Sequence, residues 1–275
     1  MYRHRSPMYK LIALDIDGTL LNSQKQITPR VRSSIIAAKE QGIKVVLASG
    51  RPYQGMLAAL TFLDLCDADD FTLSYNGALV LKGREQQVIS KHLLNGEDAL
   101  ELYHLANNLN VNILAYTEAH GLITPKKNKY TDFEAEHNAI DFTEFDFTTL
   151  SPKDEVIKVM LVDEPDALSA AINKLPQSLK NKYSMARSMP FFFEFMSHKS
   201  NKGKGIETLT KHLGFNASDI ICVGDADNDL EMLQFAGLGV AMGNAEDSIK
   251  AEADLVTLSN DQDGVAHVIE QYILN

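Results

Sequence analysis

Ile12-Ala13-Leu14-Asp15-Ile16-Asp17-Gly18-Thr19-Leu20 is the stretch on which the fold turns. Tyr9 to Leu14 is a short, mostly apolar run, the pattern of a strand buried in a parallel sheet, and it ends in two aspartates that flank one apolar residue. On extended backbone Asp15 and Asp17 share a face, and two carboxylates in partial burial repel each other unless a cation or a shared proton intervenes. Ligands of open α/β sheets bind beyond the carboxyl ends of the strands, so chemistry is expected here. The plainer alternative is an Asp-Gly turn that merely closes a strand, since Asp, Gly and Thr are ordinary turn residues.

Outward from this stretch the strand-turn-helix rhythm repeats. Thr28-Pro29 supplies an N-cap and first-turn pair for a helix to about Gln41, with Gly42 as its stop. Ile43 to Ala48 is the next apolar strand and ends in Ser49-Gly50-Arg51. Pro52 then opens a helix with Tyr53, Met56, Leu57, Leu60 and Leu63 at the 3.6-residue period, and Phe71 to Tyr75 is a third strand, ending in Asn76-Gly77.

From about Gly83 the pattern changes. Glu85 to Lys91 alternates, and a helix near Gly96 to Leu109, strands at Val111 to Tyr116 and Val156 to Val162, a helix opened by Pro165 and the run Phe191 to Phe195 follow. This reads as an inserted α+β domain, 85–194, within a core made of 1–84 and 195–275. The core rhythm returns after Asn201-Lys202-Gly203 with a helix around Gly205 to Leu213. A buried strand, Ile220 to Val223, then ends in Gly224-Asp225-Ala226-Asp227-Asn228-Asp229. Strands at Leu238 to Met242 and Leu255 to Thr257 and a helix from Gly264 to Tyr272 complete it. The expected fold is therefore α/β, a Rossmann-like doubly wound parallel sheet carrying an insert.

Composition narrows the function. The 275 residues fit roughly two domains, and 45% apolar content is ample for their cores. With 26 basic and 37 acidic residues the net charge is -11, which argues against a nucleic-acid surface or an anionic membrane as partner. No apolar run approaches the ~18 residues of a membrane span. Cys66 and Cys222 lie apart in apolar settings, so buried free thiols and a reducing, cytoplasmic setting are expected. Met1 to Pro7 reads as a polar tail without a signal-peptide core, with Met8 an alternative start.

Three strand ends thus present Asp15 with Asp17, Ser49, and Asp225 with Asp229, which a parallel sheet can bring to one edge. Four carboxylates beside one lysine, Lys202, require a divalent cation, and an all-oxygen set suits Mg²⁺. Rival motifs fail. Asp225-x-Asp227-x-Asp229 begins like an EF-hand loop, but Leu230 stands where the turn needs Gly and Ala236 where Glu is needed. The glycines of Gly237 to Gly243 are mis-spaced for a dinucleotide fingerprint, and no P-loop sequence occurs. His120, His137 and His198 lack metal-ligand spacing, and Lys126, Lys127 and Lys129 read as a solvated loop.

Asp15-Ile-Asp17-Gly18-Thr19-Leu20, Ser49-Gly50-Arg51, Lys202 and Gly224-Asp225-x-x-Asn228-Asp229 resemble, in order, the four motifs of the haloacid dehalogenase-like hydrolases. Within that superfamily the chain looks like the Cof-type phosphatases with a large (C2-type) cap between the second and third motifs, most closely the YidA-type sugar phosphatases, whose pattern Asn76-Gly77-Ala78 and Asn201-Lys202-Gly203 also match. Ser49 stands where many relatives have Thr, and both supply a hydroxyl. The resemblance implies a phosphatase acting on a small phosphorylated metabolite. Asp15 would be the nucleophile, forming an aspartyl-phosphate, and Asp17 the general acid and then base. Mg²⁺ would be held by the Asp15 and Asp225 carboxylates and the Asp17 carbonyl, with Asp229 acting through water. The Ile16 and Gly50 N–H groups, Ser49, Asn228 and Lys202 would bind phosphoryl oxygens, with Arg51 and Asn76 at the substrate rim. A phosphomutase on the same core and a non-enzymatic phospholigand sensor are the alternatives. The first is disfavoured by the short gap Leu21 to Thr28, the second by the presence of every acid the chemistry needs.

Overall fold

In the computed structural model, which describes residues 9–275, the opening run becomes β1 (Leu11–Leu14), every residue of it buried. The expected tail and the alternative start at Met8 fall outside the described residues. α1 (Pro29–Glu40) begins where its capping residues indicate: the Thr28 side chain accepts a hydrogen bond from the Val31 N–H, and Pro29 sits in the first turn. β2 (Lys44–Ala48), α2 (Tyr53–Phe62) and β3 (Phe71–Ser74) repeat the rhythm. β4 (Leu79–Lys82) and β5 (Gln87–Lys91) then return antiparallel.

A second compact unit spans His92 to Ser200, and the first resumes at Asn201. The junctions therefore differ from those expected at 84/85 and 194/195. β5 is a largely exposed edge strand, and its hydrogen bonds to β4 keep it in the first unit's sheet. The aromatic run likewise continues to Ser197 in the second unit's sheet.

That unit contains β6 (Leu94–Asn95), α3 (Gly96–Leu109), β7 (Asn112–Thr117), β8 (Gly121–Thr124), α4 (Lys129–Asn138), β9 (Phe142–Glu144), β10 (Glu155–Val162), α5 (Pro165–Ile172), α6 (Leu179–Lys182), β11 (Tyr183–Met189) and β12 (Phe192–Ser197). Its sheet runs β11-β12-β10-β7-β8-β9, with β6 also on β10, and only the β8–β9 pairing is parallel. Ala99, Leu102 and Ala106 of α3 pack with Phe147, Phe193 and Phe195 in one apolar cluster. Lys158 is buried too, 3.0 Å from Glu194 and 3.9 Å from Glu134, and the Tyr116 hydroxyl donates to Glu134 at 2.6 Å. Burial alone would lower the Lys158 pKa, but the two carboxylates outweigh it and hold the ammonium charged.

The first unit is completed by α7 (Lys202–His212), β13 (Ile220–Gly224), α8 (Leu230–Phe235), β14 (Leu238–Ala241), α9 (Asp247–Glu252), β15 (Leu255–Val256) and α10 (Gly264–Tyr272). Its sheet has the order β15-β14-β13-β1-β2-β3-β4-β5, parallel from β15 through β3. Leu11 and Ala13 of β1 join Ile206 and Leu209 of α7 and Met232 and Leu233 of α8 in a cluster on one face. Ile12 and Leu14 point the other way and are equally buried, on the side where α1 packs with β2 and α10. Helices cover both faces, as a doubly wound sheet requires. Each fully buried Leu or Ile contributes about 1.5–3 kcal/mol, which fixes the strand whose end carries the charges. β1 lies between β13 and β2, so Asp15 has the ends of those two strands on either side.

Candidate active site

The geometry begins with Asp15, whose N–H donates to the Val223 carbonyl at 3.0 Å, extending the β1–β13 ladder one residue beyond the strand. Its carboxylate is buried and accepts from Lys202 Nζ at 2.5 Å. The same ammonium reaches Asp229 at 2.6 Å, and both Lys202 and Asp229 are fully buried. Lys202 gets there because Asn201 caps α7, its side chain accepting from the Lys204 N–H, which makes Lys202 the first residue of the helix. The second oxygen of Asp229 accepts from the N–H groups of Asp225 and Ala226, so this acid also shapes the loop after β13. Thr19 Oγ1 donates to Asp225 Oδ1 at 2.8 Å, tying that loop to the one after β1.

Glycine is required at two points here. Gly18 has φ +87°, and a Cβ on it would lie 2.2 Å from Asp225 Oδ2. A Cβ on Gly224 would lie 2.5 Å from the Asp229 side chain. The turns at both strand ends are thus as tight as side-chain contact allows.

Oxygens of Asp15, Asp225 and Asp229 lie within 4.8 Å of one another, a grouping that could hold a metal ion. Burial and the Asp229 charge push the Asp15 carboxyl well up, against the pull of Lys202. Burial pushes Asp225 up to about 6, with the Thr19 hydrogen bond opposing and the Asp229 charge adding to it. Asp15 and Asp229 keep Lys202 charged despite its burial. Three acids facing one ammonium leave excess negative charge, and an all-oxygen donor set fits a hard divalent cation.

Asp17 does not join this group. Its carboxylate accepts from Arg51 Nε at 2.8 Å and Nη2 at 2.7 Å, and Lys25 Nζ lies at 3.3 Å. The expected pocket of four acids is therefore three acids with Lys202, and a fourth paired elsewhere. The physical reason is local: the strand ends at Leu14, the chain turns at Ile16, and the bidentate guanidinium fork offers Asp17 a better partner than three like charges. Burial raises the Asp17 carboxyl, but the Arg51 hydrogen bonds and charge, helped by Lys25, overcome it and hold it below the usual carboxylate range. Arg51 is correspondingly engaged with Asp17, not presented as a rim residue.

Ser49 is buried beyond β2 and accepts from the Arg51 N–H at 3.2 Å, with Gly50 beside it. Ile16 is buried between the two aspartates. Asn76 is also not on a rim: it is 9% exposed, and its Oδ1 accepts from Asn228 Nδ2 at 3.0 Å. Sequence reasoning assigned no role to Thr19, Lys25, Asn244 or Asn260. Asn244 donates to the Gly18 carbonyl and Asn260 to that of Leu21, pinning the turn after β1 from loops beyond β14 and β15. Only Thr19 carried a signal, its place within the opening motif.

The histidine and lysine candidates His120, His137, His198, Lys126, Lys127 and Lys129 lie in the second unit. His137 stacks on Phe133 and His120 on Phe145, while Lys127 pairs with Asp132 and Lys129 with Glu164. Cys222 is a buried free thiol of β13, and Cys66 is free but only half-buried. Among the described residues no helix is long and apolar enough to cross a membrane.

A family model described as haloacid dehalogenase-like hydrolase matches residues 12–269. The chain is 38% identical over 270 residues to the Bacillus subtilis (strain 168) protein named "Putative phosphatase YxeH", with 97% of this chain and 99% of that one covered. Among solved structures it resembles a haloacid dehalogenase-like hydrolase from Bacteroides thetaiotaomicron, with TM-score 0.85 and 37% identity over 96% of this chain and 99% of that one. It also resembles the HAD subclass IIB sugar phosphatase BT4131, with TM-score 0.78 and 25% identity over 96% and 98%.

Proposed function

This chain belongs to the haloacid dehalogenase-like hydrolases and is a phosphatase of that family, and we propose that it hydrolyses small phosphate monoesters, sugar phosphates foremost, through an aspartyl-phosphate on Asp15 with Mg²⁺ as cofactor. The observation that carries this reading is the grouping of Asp15, Asp225 and Asp229 around Lys202 at the ends of adjacent parallel strands. The likeness to a sugar phosphatase supports the substrate class.

Bound by the Asp15 and Asp225 carboxylates and the Asp17 carbonyl, with Asp229 behind them, Mg²⁺ would offset the charge of nucleophile and phosphate. The chain's own residues do the rest. The Asp15 carboxylate attacks phosphorus, the bond to the ester oxygen breaks, and the departing alkoxide takes a proton from Asp17. Water then attacks the same phosphorus, giving its proton to Asp17, and the bond to Asp15 breaks to release phosphate. Ser49, the Ile16 and Gly50 N–H groups, Asn228 and Lys202 hold the phosphoryl oxygens, where fixed donors act most strongly on developing charge.

Asp17 paired to Arg51 is ionised, the state required of the base. To serve as the acid it must leave that pair and gain a proton, so ester binding has to loosen the Arg51 contact. Selection of the leaving group is assigned to the second unit, because every motif of the chemistry lies in the first.

The test is turnover by purified protein with Mg²⁺ against a panel of sugar phosphates, nucleotides and phosphorylated cofactors. Release of phosphate, fastest from sugar phosphates and lost on chelation, is expected. Full turnover after exhaustive chelation would refute the metal's role, and preference for nucleotides would refute the substrate class.

A further inference from the structure

Tyr75, Asn76 and Gly77 follow β3 with φ of +50°, +52° and +81°, three successive left-handed residues of which only the last is glycine. Such backbone persists only where its surroundings hold it, and it concentrates at functional sites. The surroundings here are the catalytic loops themselves. The Tyr75 N–H donates to the Arg51 carbonyl at 3.1 Å and the Asn76 N–H to the Ser49 carbonyl at 2.9 Å, which ties the turn to the loop after β2. A Cβ on Gly77 would lie 2.4 Å from the Asn201 carbonyl oxygen, so the turn also abuts the start of α7, where Lys202 begins.

The Asn76 side chain spans the remaining gap. Its Oδ1 accepts from Asn228 Nδ2 at 3.0 Å, and a Cβ on Gly50 would meet its amide at 3.2–3.3 Å. Asn228 is otherwise exposed on the loop that carries Asp225 and Asp229. One amide hydrogen is committed to Asn76, which fixes the plane of the Asn228 amide and therefore the direction of the other.

We propose that Asn76 is a positioning residue of the phosphoryl site: buried on a left-handed turn, it orients the Asn228 amide and props Gly50, linking the loops after β2 and β13. The inference rests on the phosphatase reading for its functional meaning, but its geometry stands apart from it. Asn suits the task because it tolerates left-handed backbone and brings an amide that can accept from Asn228.

Asn76→Gly separates the two contributions, since glycine keeps the left-handed backbone and removes only the amide. Its melting temperature should stay near that of the wild type. In Mg²⁺ its affinity for inorganic phosphate, measured by calorimetry, should fall about tenfold, the order of one lost hydrogen bond, and kcat/KM on a phosphate ester should fall with it. Asn228→Ala should show a similar loss, and the double variant should lose clearly less than the product of the two single losses, because both changes remove the shared Asn76–Asn228 contact. Wild-type phosphate affinity in Asn76→Gly, or losses that simply multiply in the double variant, would overturn the proposal. A wild-type protein that binds phosphate yet cleaves no ester would refute the phosphatase reading, with the binding comparison still deciding the role of Asn76. Absence of phosphate binding by the wild type would overturn both.

Discussion

Replacing Asp225 by asparagine should make the metal-free protein more stable while destroying its capacity for metal. The acid sits against Asp15 and Asp229, and burial together with the Asp229 charge raises it from the ordinary 3.8 to about 6. That difference corresponds to about 3 kcal/mol against the ionised form in the folded state. The sign follows from proton counts. Below about pH 4 Asp225 is protonated in both folded and unfolded chains, and there is no penalty. Between about pH 4 and 6 the unfolded chain releases the proton first, so stability falls as pH rises, and above 6 the full cost is present. Asparagine cannot ionise, and its carbonyl can still accept the Thr19 hydrogen bond, now 2.8 Å long. In chelator, Asp225→Asn should therefore match the wild type near pH 4 and exceed it by up to about 3 kcal/mol at pH 8, an increase of several degrees in melting temperature. Added Mg²⁺ should stabilise the wild type and leave the variant unmoved. Urea or thermal melts across this range measure it. A variant less stable than the wild type at pH 8 in chelator, or a difference that does not change with pH, would refute the charge-repulsion account of the site.

Other outcomes follow from the same geometry. Asp17→Asn should lose about 10² to 10⁴ in rate on a sugar phosphate, whose alkoxide needs a proton, and visibly less on an activated aryl phosphate; equal losses in single-turnover phosphorylation would place the acid elsewhere. Lys202→Met leaves Asp15 and Asp229 buried without their cation and should cost about 3–5 kcal/mol in urea denaturation of the metal-free protein. Arg51→Met removes the fork that holds Asp17 ionised, so burial should carry the Asp17 carboxyl up and move to higher pH the alkaline limb of kcat/KM, where phosphorylation needs Asp17 protonated. An unmoved limb would show that Arg51 does not control Asp17.

The sheet and the acidic centre were legible because each depends on short-range rules. Apolar runs closed by Asp15, Ser49 and Asp225 mark buried parallel strands, and parallel strands put their carboxyl ends on one edge. Side-chain direction beyond a turn is not so encoded. Asp17 shares a strand face with Asp15 only while the backbone stays extended, and the strand ends at Leu14 with the chain turning at Ile16, which leaves Asp17 to pair with Arg51. Asn76 belongs to the same class: burial of a turn residue depends on loops that are distant in sequence, and its partner Asn228 is 152 residues away. In the second unit, β8 and α4 escaped notice because Gly121–Thr124 is too short to show a period and Lys126 to Lys129 obscured the Asn128 cap of α4. The edge strand β5 looked like the start of a new domain because edge strands and half-exposed sheets share one pattern.

The central claim is that Asp15 is the nucleophile, and rapid quenching tests it most directly. Enzyme in excess is mixed with a phosphate ester carrying labelled phosphorus and Mg²⁺, stopped in acid, digested, and the labelled peptide sequenced. The predicted result is transient phosphate on the peptide carrying Asp15, prolonged in Asp17→Asn and absent in Asp15→Asn. Label on another residue, or full turnover by Asp15→Asn, would contradict the mechanism.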